Sequence, residues 1–348
     1  HSQIFQTHRT IAMKQRRILV IRLSALGDVA MTVPVIYSLA RRYPELSVTV
    51  LTRPFFARLF IDPPANVELM TADTKGRHHG SLGLMRLIGE LRHHRFDMVA
   101  DLHDLLRSRI ISTVLRATGC RVATVDKDRR GRRLITDPDG ERRPQRSYLL
   151  RYADTFARLG YPVDIDTAPV VGTPELSATP AVGIAPFARY LTKTYPPELM
   201  EQVVGLLSAR NYRVLLFGGK GSESDTLGRW ADKYPNVTSM AGKLPLEDEI
   251  RTMASLDVMI SMDSANMHLA SLAGIPVVSV WGGTTPGCGF LGWRQTADDT
   301  VCAGLKCQPC SVAGTPRCPL GTLDCLRAIA PETIADHVDT VINRRRHE

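Results

Sequence analysis

The feature of this sequence that most constrains its fold is an alternation of short apolar segments with helical periodicity. Residues 17–23 read RILVIRL, a short segment rich in β-forming residues that ends in a turn of small residues. From residue 29 to residue 42 the apolar positions recur at helical spacing instead. Strands that alternate with helices in this way predict an α/β fold built on a doubly wound parallel sheet.

The same alternation continues on both sides of a proline-rich break. Residues 164–181 contain three prolines and three threonines with little periodicity, which indicates an interdomain linker. We predict further strands at 47–51, 98–102, 181–185, 212–217, 258–261 and 276–281. Further helices are predicted at 107–118, 197–210, 246–254, 266–273 and 331–345. Two tandem Rossmann-like domains should therefore face each other across a cleft, with ligands at the carboxyl ends of the strands.

The length of the chain supports this division. It has 348 residues, which is too long for one ordinary core, so we expect domains at 14–165 and 180–328 and a closing helix within 329–348. The segment before Arg16 lacks the apolar core of a secretory signal, and we interpret 1–13 as a loose extension. Apolar runs such as 275–281 are far shorter than the ~20 residues that cross a bilayer. A cytoplasmic location is the resulting expectation.

The charge balance points to a polyanionic partner. The formal net charge is +9, and residues 127–151 hold nine basic and four acidic residues. Nucleic acid, an anionic membrane surface and a phosphorylated glycolipid would all suit such an excess. Tyr148 is the only aromatic residue in that stretch, and base stacking needs aromatics, so nucleic acid is the least favoured partner. A solvated loop whose arginines pair locally remains an alternative.

Four of the seven cysteines cluster late in the chain, at Cys307, Cys310, Cys318 and Cys325. The first pair has zinc-knuckle spacing, but the second pair does not. Structural zinc, buried thiols and a disulfide therefore stay open as interpretations.

The strongest local signal is the junction from Asp263 to His268, where a predicted strand passes through a short polar loop into a helix. The free N–H groups of a helix start, together with the helix dipole, form a ready anion site. Ser264 can cap this helix and also donate to a phosphate oxygen. Asp263 is better explained as an acceptor for a sugar hydroxyl or as a cap. The alternative is a capped helix with a core histidine at His268.

Other loops at predicted strand ends add candidate donor contacts. Lys193 lies in the turn after strand 181–185, where a leaving-group phosphate needs positive charge. Glycines at Gly218 and Gly282 follow two further strands and permit close backbone approach to a ligand. Neither turn is a Walker A loop or a GxGxxG fingerprint, so ATP hydrolysis and NAD binding are poorly supported.

In the first half, Asp28 follows the first strand where a helix begins. It is either an N-terminal cap or a general base that faces the cleft. A glycosyl group activated by a nucleoside diphosphate needs only one carboxylate, unlike glycoside hydrolysis. Candidates for holding an anionic acceptor are Arg53, Asp101, His103, Arg107, Arg130 and Arg133. The residues from Asp101 to Arg109 are equally compatible with an ordinary polar helix start.

In this order, the motifs resemble the heptosyltransferases of glycosyltransferase family nine, which act in lipopolysaccharide core assembly. The resemblance covers residues 17 to about 341. It is carried by ILVIRLSALGDV from Ile18, DLH from Asp101, Lys193, FGG from Phe217, DSANMHLA from Asp263, and CQPC from Cys307 with Cys325. The family commonly has glycine where this chain has Ala265.

Membership would imply the GT-B fold, with an acceptor domain, a donor domain and a last helix that packs back towards the first domain. It also implies a metal-independent, inverting transfer from an ADP-activated heptose to an anionic glycolipid, by an enzyme peripheral to the inner face of the cytoplasmic membrane. Carried over by position, Asp28 is the base, Asp263 binds the donor sugar and Glu223 binds the ribose. Lys193, Ser264, the Ala265 N–H and His268 hold the diphosphate. Alternatives are another nucleotide sugar with a different glycan acceptor, or a non-catalytic nucleotide-binding protein.

Overall fold

The computed structural model describes residues 15–168, 170–172 and 178–347. The expected extension at 1–13 and part of the expected linker, at 169 and 173–177, lie outside the described residues.

The first domain is a five-stranded sheet in which every strand pair is parallel. Its strands are β1 (Arg17–Ile21), β2 (Ser47–Thr52), β3 (Val67–Thr71), β4 (Met98–Asp101) and β5 (Arg121–Thr124). Its helices are α1 (Leu26–Arg42), α2 (Pro54–Ala57), α3 (Gly80–His93), α4 (Leu106–Ala117), α5 (Arg129–Ile135) and α6 (Tyr148–Ala157). The order β3-β2-β1-β4-β5 puts β1 at the centre, where Ile18 lies between Val48 and Met98.

The second domain repeats the scheme with six parallel strands. Its strands are β6 (Ala181–Ala185), β7 (Arg213–Leu216), β8 (Val237–Ser239), β9 (Val258–Met262), β10 (Val277–Trp281) and β11 (Thr300–Cys302). Its helices are α7 (Pro197–Ala209), α8 (Ser222–Lys233), α9 (Leu246–Ala254), α10 (Ala265–Leu272), α11 (Asp324–Arg327) and α12 (Pro331–His347). The order β11-β10-β9-β6-β7-β8 puts β9 and β6 at the centre. The prediction of two parallel, Rossmann-like sheets is thus confirmed.

The last helix packs on the second domain. Its main contacts are with α7, β9 and β10, and its apolar residues Ile334, Val338 and Val341 belong to that core. Arg345 donates to the carbonyl oxygens of Leu256 and Asp257 of the same domain. We expected this helix to pack back towards the first domain, and these contacts do not follow that expectation. The physical reason is that its apolar stripe completes the face of the second sheet.

The two domains share one core. A single cluster of buried side chains runs from α1 and α6 of the first domain into α9 and α10 of the second. The remaining faces of the two sheets carry separate cores, one under α3 and α4 and the other under α7 and α12. The shared core holds the loops at the carboxyl ends of the two sheets against each other.

None of the helices in the described part of the chain is both long enough and apolar enough to cross a bilayer.

Candidate active site

The loops at the carboxyl ends of the strands enclose a cavity of about 630 Å³ between the two domains. Such a site is expected where two open α/β sheets face each other. Eight of the residues predicted from the sequence line it: Asp28, His103, Lys193, Glu223, Asp263, Ser264, Ala265 and His268. These residues come from both halves of the chain, so the fold brings the predicted donor side and the predicted base to one cavity.

Two helix N-termini meet at this cavity. Helix α1 begins at Leu26 directly after β1, and α10 begins at Ala265 directly after β9. The two helices pack closely, since a Cβ added at Gly27 would lie 2.9 Å from Cδ2 of His268 and 3.4 Å from Cα of Ala265. The first N–H groups of a helix have no partner within it and carry partial positive charge. Their convergence makes this end of the cavity suited to a diphosphate.

Asp28 lies on the first turn of α1 and faces the cavity. Its Oδ2 pairs with Nη2 of Arg22 at 2.7 Å and accepts a hydrogen bond from the Ala25 N–H at 3.2 Å. Its Oδ1 makes no hydrogen bond to any residue in the described part of the chain, and 28% of the side chain is exposed. One oxygen of the carboxylate thus caps the helix start, as in the plainer interpretation, and the side chain also lines the cavity.

Arg22 is a site residue that the sequence reasoning missed. It is buried, and its Nη1 also donates to the Leu102 carbonyl oxygen at 2.6 Å. Its Nε has no hydrogen-bond partner among the described residues. The available signal was a charged residue directly after an apolar, buried strand segment, because buried charges need a partner.

Lys193 and Asp263 pair with each other across the cavity floor. Nζ of Lys193 lies 2.9 Å from Oδ2 of Asp263, and Oγ1 of Thr284 donates to that oxygen at 2.6 Å. Both members of the pair are largely buried. From the sequence, Lys193 was predicted to contact the donor phosphate and Asp263 the donor sugar, and in the structure the two side chains contact each other directly.

His268 is buried on the first turn of α10. Burial, with a smaller contribution from Lys193, lowers the pKa of His268 to about 4 against the opposing effects of Asp263 and Asp28. The ring is therefore neutral at pH 7. Its Nδ1 has no hydrogen-bond partner among the described residues, and a buried polar atom of this kind calls for a partner. The ring can therefore offer a ligand a neutral donor or acceptor.

His103 and the basic residues around it form the first-domain side of the cavity. Burial, together with Arg22 and Lys127, lowers the pKa of His103 to about 4. Nζ of Lys127 donates to the His103 carbonyl oxygen at 2.7 Å. Lys127, Arg132 and Tyr148 also line the cavity and were not singled out as site residues from the sequence.

Three residues predicted to bind the acceptor have structural roles instead. Asp101 is fully buried and accepts from the N–H groups of His103 and Asp104 and from Ser108 Oγ, so it holds the loop between β4 and α4. Nε of Arg53 donates to the Leu23 carbonyl oxygen, and its guanidinium lies 4.7 Å from the centre of the Phe56 ring. Arg107 donates to the carbonyl oxygen of His78. None of the three lines the cavity.

Two arginines predicted to bind the acceptor lie away from the cavity. Arg130 and Arg133 are exposed on the outer side of α5, and neither lines the cavity, whereas Arg132 does. The segment forms a helix, and residues three apart on a helix lie on the same face. Arg130 and Arg133 therefore share one face of α5, and Arg132 lies on another. No helix was predicted for this stretch from the sequence, so no helix face could be assigned to its arginines.

The two predicted ligand-contacting glycines serve protein packing. A Cβ at Gly282 would lie 2.6 Å from the Thr192 carbonyl oxygen, and a Cβ at Gly218 would lie 2.9 Å from Cδ1 of Leu227. Neither glycine lines the cavity. Glu223, in contrast, lines it while its Oε2 accepts from the Gly219 N–H at 2.7 Å.

The four late cysteines are neighbours, because, beside burial, Cys307, Cys310 and Cys318 each contribute to raising the pKa of the Cys325 thiol. All seven cysteines are free thiols. Within the described ranges, no group of three or more His, Cys, Asp or Glu side chains is placed to hold a metal ion. Cys325 is buried in the second core, and burial raises the pKa of its thiol to about 12.

Comparison with known proteins agrees with this architecture. The E. coli heptosyltransferase WaaC with ADP superposes with a TM-score of 0.66 at 18% identity, over 95% of this chain and 100% of that chain. A glycosyl transferase of family 9 from Veillonella parvula gives a TM-score of 0.72 at 17% identity, over 95% and 98%. These likenesses confirm the GT-B fold.

Sequence comparison identifies the family. Lipopolysaccharide heptosyltransferase 1 of Pseudomonas aeruginosa is 24% identical over 315 residues, which cover 84% of this chain and 86% of that protein. Lipopolysaccharide heptosyltransferase 3 of Escherichia coli is 24% identical over 79% of this chain and 85% of that protein. Residues 84–319 match the family described as Glycosyltransferase family 9 (heptosyltransferase). The chain therefore belongs to glycosyltransferase family 9 and is a glycosyltransferase.

Proposed function

We propose that this glycosyltransferase moves a heptose from ADP-heptose to an anionic glycolipid of the lipopolysaccharide-core type, with inversion at the anomeric carbon. One observation carries the proposal. An oriented carboxylate, Asp28, and the N-termini of α1 and α10 line the same cavity. Its relatives are named as lipopolysaccharide heptosyltransferases, and two solved neighbours hold ADP or an ADP-heptose analogue.

The donor diphosphate would bind at the start of α10. Ser264, the Ala265 N–H and His268 lie there, and Lys193 lies across from them. The diphosphate carries two negative charges and would compete with Asp263 for Lys193. Donor binding would thus release the Asp263 carboxylate to accept hydrogen bonds from the sugar hydroxyls. Glu223, on α8 of the same domain, would receive the ribose.

The transfer step needs one base and a good leaving group. Oδ1 of Asp28 takes the proton of the acceptor hydroxyl, whose oxygen forms a bond to the anomeric carbon. The bond between that carbon and the diphosphate oxygen breaks, and ADP leaves with the electron pair. Lys193 and the helix N-termini would stabilise the charge that develops on the diphosphate. We propose that no metal ion takes part, since these groups already supply the positive charge.

The acceptor side of the cavity suits an anionic glycolipid. Lys127 and Arg132 line it next to Asp28, and both are partly exposed. We place the enzyme at the inner face of the cytoplasmic membrane, held by peripheral contact. Nucleic acid is not part of the proposal, because the relatives are named as lipopolysaccharide heptosyltransferases.

The test is direct transfer. The protein is incubated with ADP-heptose and heptose-deficient lipopolysaccharide, with and without EDTA, and the acceptor is examined by mass spectrometry for one added heptose. A mass increment that EDTA leaves unchanged supports the proposal. A known heptosyltransferase is tested in parallel on the same acceptor. If that enzyme adds a heptose and this protein does not, the proposal is overturned. Thermal shifts with ADP, UDP and GDP separate an ADP-sugar donor from other nucleotide sugars.

A further inference from the structure

The first domain presents a surface of exposed apolar and basic side chains at the starts of three helices. On each helix the residues share the spacing i, i+3, i+4 and face solvent. They are Leu82, Met85 and Arg86 on α3; Leu106, Arg109 and Ile110 on α4; and Arg130, Arg133 and Leu134 on α5. We call these nine residues the basic–apolar face.

The apolar members are unusually open to solvent. Leu82 is 85% exposed, Leu106 77% and Met85 63%. Single exposed leucines are ordinary on soluble proteins, but a cluster of them marks a surface that contacts something else. None of these nine residues is acidic, and four of them are arginines.

The face adjoins the cavity. Helices α3, α4 and α5 follow β3, β4 and β5, so their starts lie at the carboxyl edge of the first sheet. Nη1 of Arg107 donates to the His78 carbonyl oxygen at 2.9 Å, which ties the start of α4 to the segment before α3. Nη2 of Arg129 pairs with Oδ2 of Asp104 at 3.2 Å, which ties α5 to the segment before α4. Leu105 and Arg132, adjacent to members of the face, line the cavity.

Most of the excess charge of the chain is concentrated in this region. Residues 75–134 contain fourteen Lys and Arg but six Asp and Glu, whereas the whole chain has a net charge of +9. Asp104 is largely buried and is neutralised by Arg109, Lys127 and Arg129. The potential outside the face is therefore positive, which suits an anionic partner.

We propose that the basic–apolar face binds the surface of an anionic phospholipid bilayer. Leu82, Met85 and Leu106 would enter the boundary between headgroups and acyl chains, and the arginines would contact the lipid phosphates. The inference rests on the proposed function in one respect, namely that the acceptor is lipid-linked and enters the cavity from this side. Binding to a bilayer without any acceptor is measurable by itself.

The experiment is co-sedimentation of the full chain with vesicles of phosphatidylethanolamine and phosphatidylglycerol, compared with phosphatidylcholine alone. The test variant is Leu82→Gln, Leu106→Gln, Arg86→Glu. Each arginine near an anionic surface contributes about fivefold to partitioning, so the charge reversal and the two lost leucines should weaken binding at least about tenfold. The control variant is Leu320→Gln, Arg116→Glu, which makes similar changes at an exposed leucine of the second domain and at the far end of α4.

We expect the wild type and the control to bind the anionic vesicles in a salt-sensitive way, and the test variant to stay in the supernatant. Equal binding of test and control variants would overturn the proposal. A wild-type dimer that the test variant converts to a monomer would also overturn it, because the face would then join two copies of the chain. Transfer to a delipidated acceptor is measured on the same samples. If the protein binds vesicles but transfers no heptose, the proposed function is contradicted and the proposal for the basic–apolar face still stands.

Discussion

At the scale of single residues, Asp28 combines two tasks in one side chain. One oxygen is held by Arg22 and the Ala25 N–H, and the other is open to the cavity. We expect Asp28→Asn to lower kcat by about 10²–10⁴-fold, because the amide cannot take a proton. ADP affinity, measured by calorimetry, should stay within about twofold. Asp139→Asn, at an exposed loop position, serves as the control. If Asp28→Asn keeps the wild-type turnover, Asp28 is not the base.

In the proposed mechanism, Arg22 acts through Asp28 and is a positioning residue. Arg22→Met removes the side chain that pairs with the carboxylate at 2.7 Å. Without this partner Asp28 loses its fixed orientation, so we expect kcat to fall by up to about 10²-fold with little change in KM for the donor. Arg22→Lys, which keeps a cation beside Asp28, should restore part of kcat. A fall in kcat that comes with an equal loss of donor binding, or that lysine does not rescue, would show that Arg22 serves the fold alone.

His268 should make stability depend on pH. Burial holds the pKa of His268 at about 4 in the folded chain, below the value of about 6.5 for an unfolded histidine. The neutral ring therefore costs the folded state nothing above pH 6.5. As the pH falls from 6.5 towards 4, the unfolded chain binds a proton that the folded chain does not, and the free energy of unfolding should fall by up to about 3 kcal/mol. In urea unfolding at pH 7, 5.5 and 4.5, the free energy of unfolding should fall more steeply with decreasing pH for wild type than for His268→Asn. The same pH dependence for both proteins would contradict the buried, neutral ring. The variant His79→Asn, at an exposed histidine, is the control.

At the scale of elements, the site depends on how closely α1 and α10 approach. Gly27 permits this contact, since a Cβ there would meet His268 at 2.9 Å. We expect Gly27→Ala to cost about 1–3 kcal/mol of unfolding free energy and to weaken ADP binding, because the two helix N-termini must separate. Gly89→Ala in α3 is the matched control, because its Cβ would meet nothing within 4 Å. It should be neutral or stabilising. Equal effects of the two substitutions would contradict the tight helix contact.

Elements also explain what the periodicity could predict. Strands β1, β2, β4, β6, β7, β9 and β10 were all predicted, and all are interior to their sheets. The four strands that were missed, β3, β5, β8 and β11, are the sheet edges. An interior strand is covered on both faces and must be continuously apolar, whereas an edge strand such as β3 is only partly buried. The helix α5 was missed because its arginines conceal any apolar stripe.

At the scale of the whole molecule, the shared core predicts that the two domains unfold together. All three tryptophans, Trp230, Trp281 and Trp293, lie in the second domain, so their fluorescence reports that domain alone. Far-ultraviolet circular dichroism reports both domains. We expect the two probes to give coincident urea transitions, because the cluster from α1 to α10 must break as one unit. Separate midpoints would show that the domains are independent.

Other contacts across the domains support this expectation. The rings of Tyr148 and Phe290 stack with centroids 4.4 Å apart, and the Tyr148 N–H donates to the Gly289 carbonyl oxygen at 2.9 Å. Arg142 reaches the Lys306 carbonyl oxygen beside the late cysteines. The later part of the arginine-rich segment, from Arg142 to Tyr148, therefore contacts the second domain, a use that its charge alone did not indicate.

The sequence by itself determined the two-domain α/β plan and several site residues, including Asp28, Lys193 and the Asp263–His268 junction. These could be predicted because they are local: a strand that ends in a helix start places its loop residues at the carboxyl edge of a parallel sheet. Tertiary structure decided which charges face the cavity and which pair elsewhere. Arg132 rather than Arg130 faces the cavity, Arg22 orients Asp28, Lys193 meets Asp263, and Asp101 turns inward. Those outcomes depend on helix faces and on partners far away in the chain, which only the packed molecule specifies.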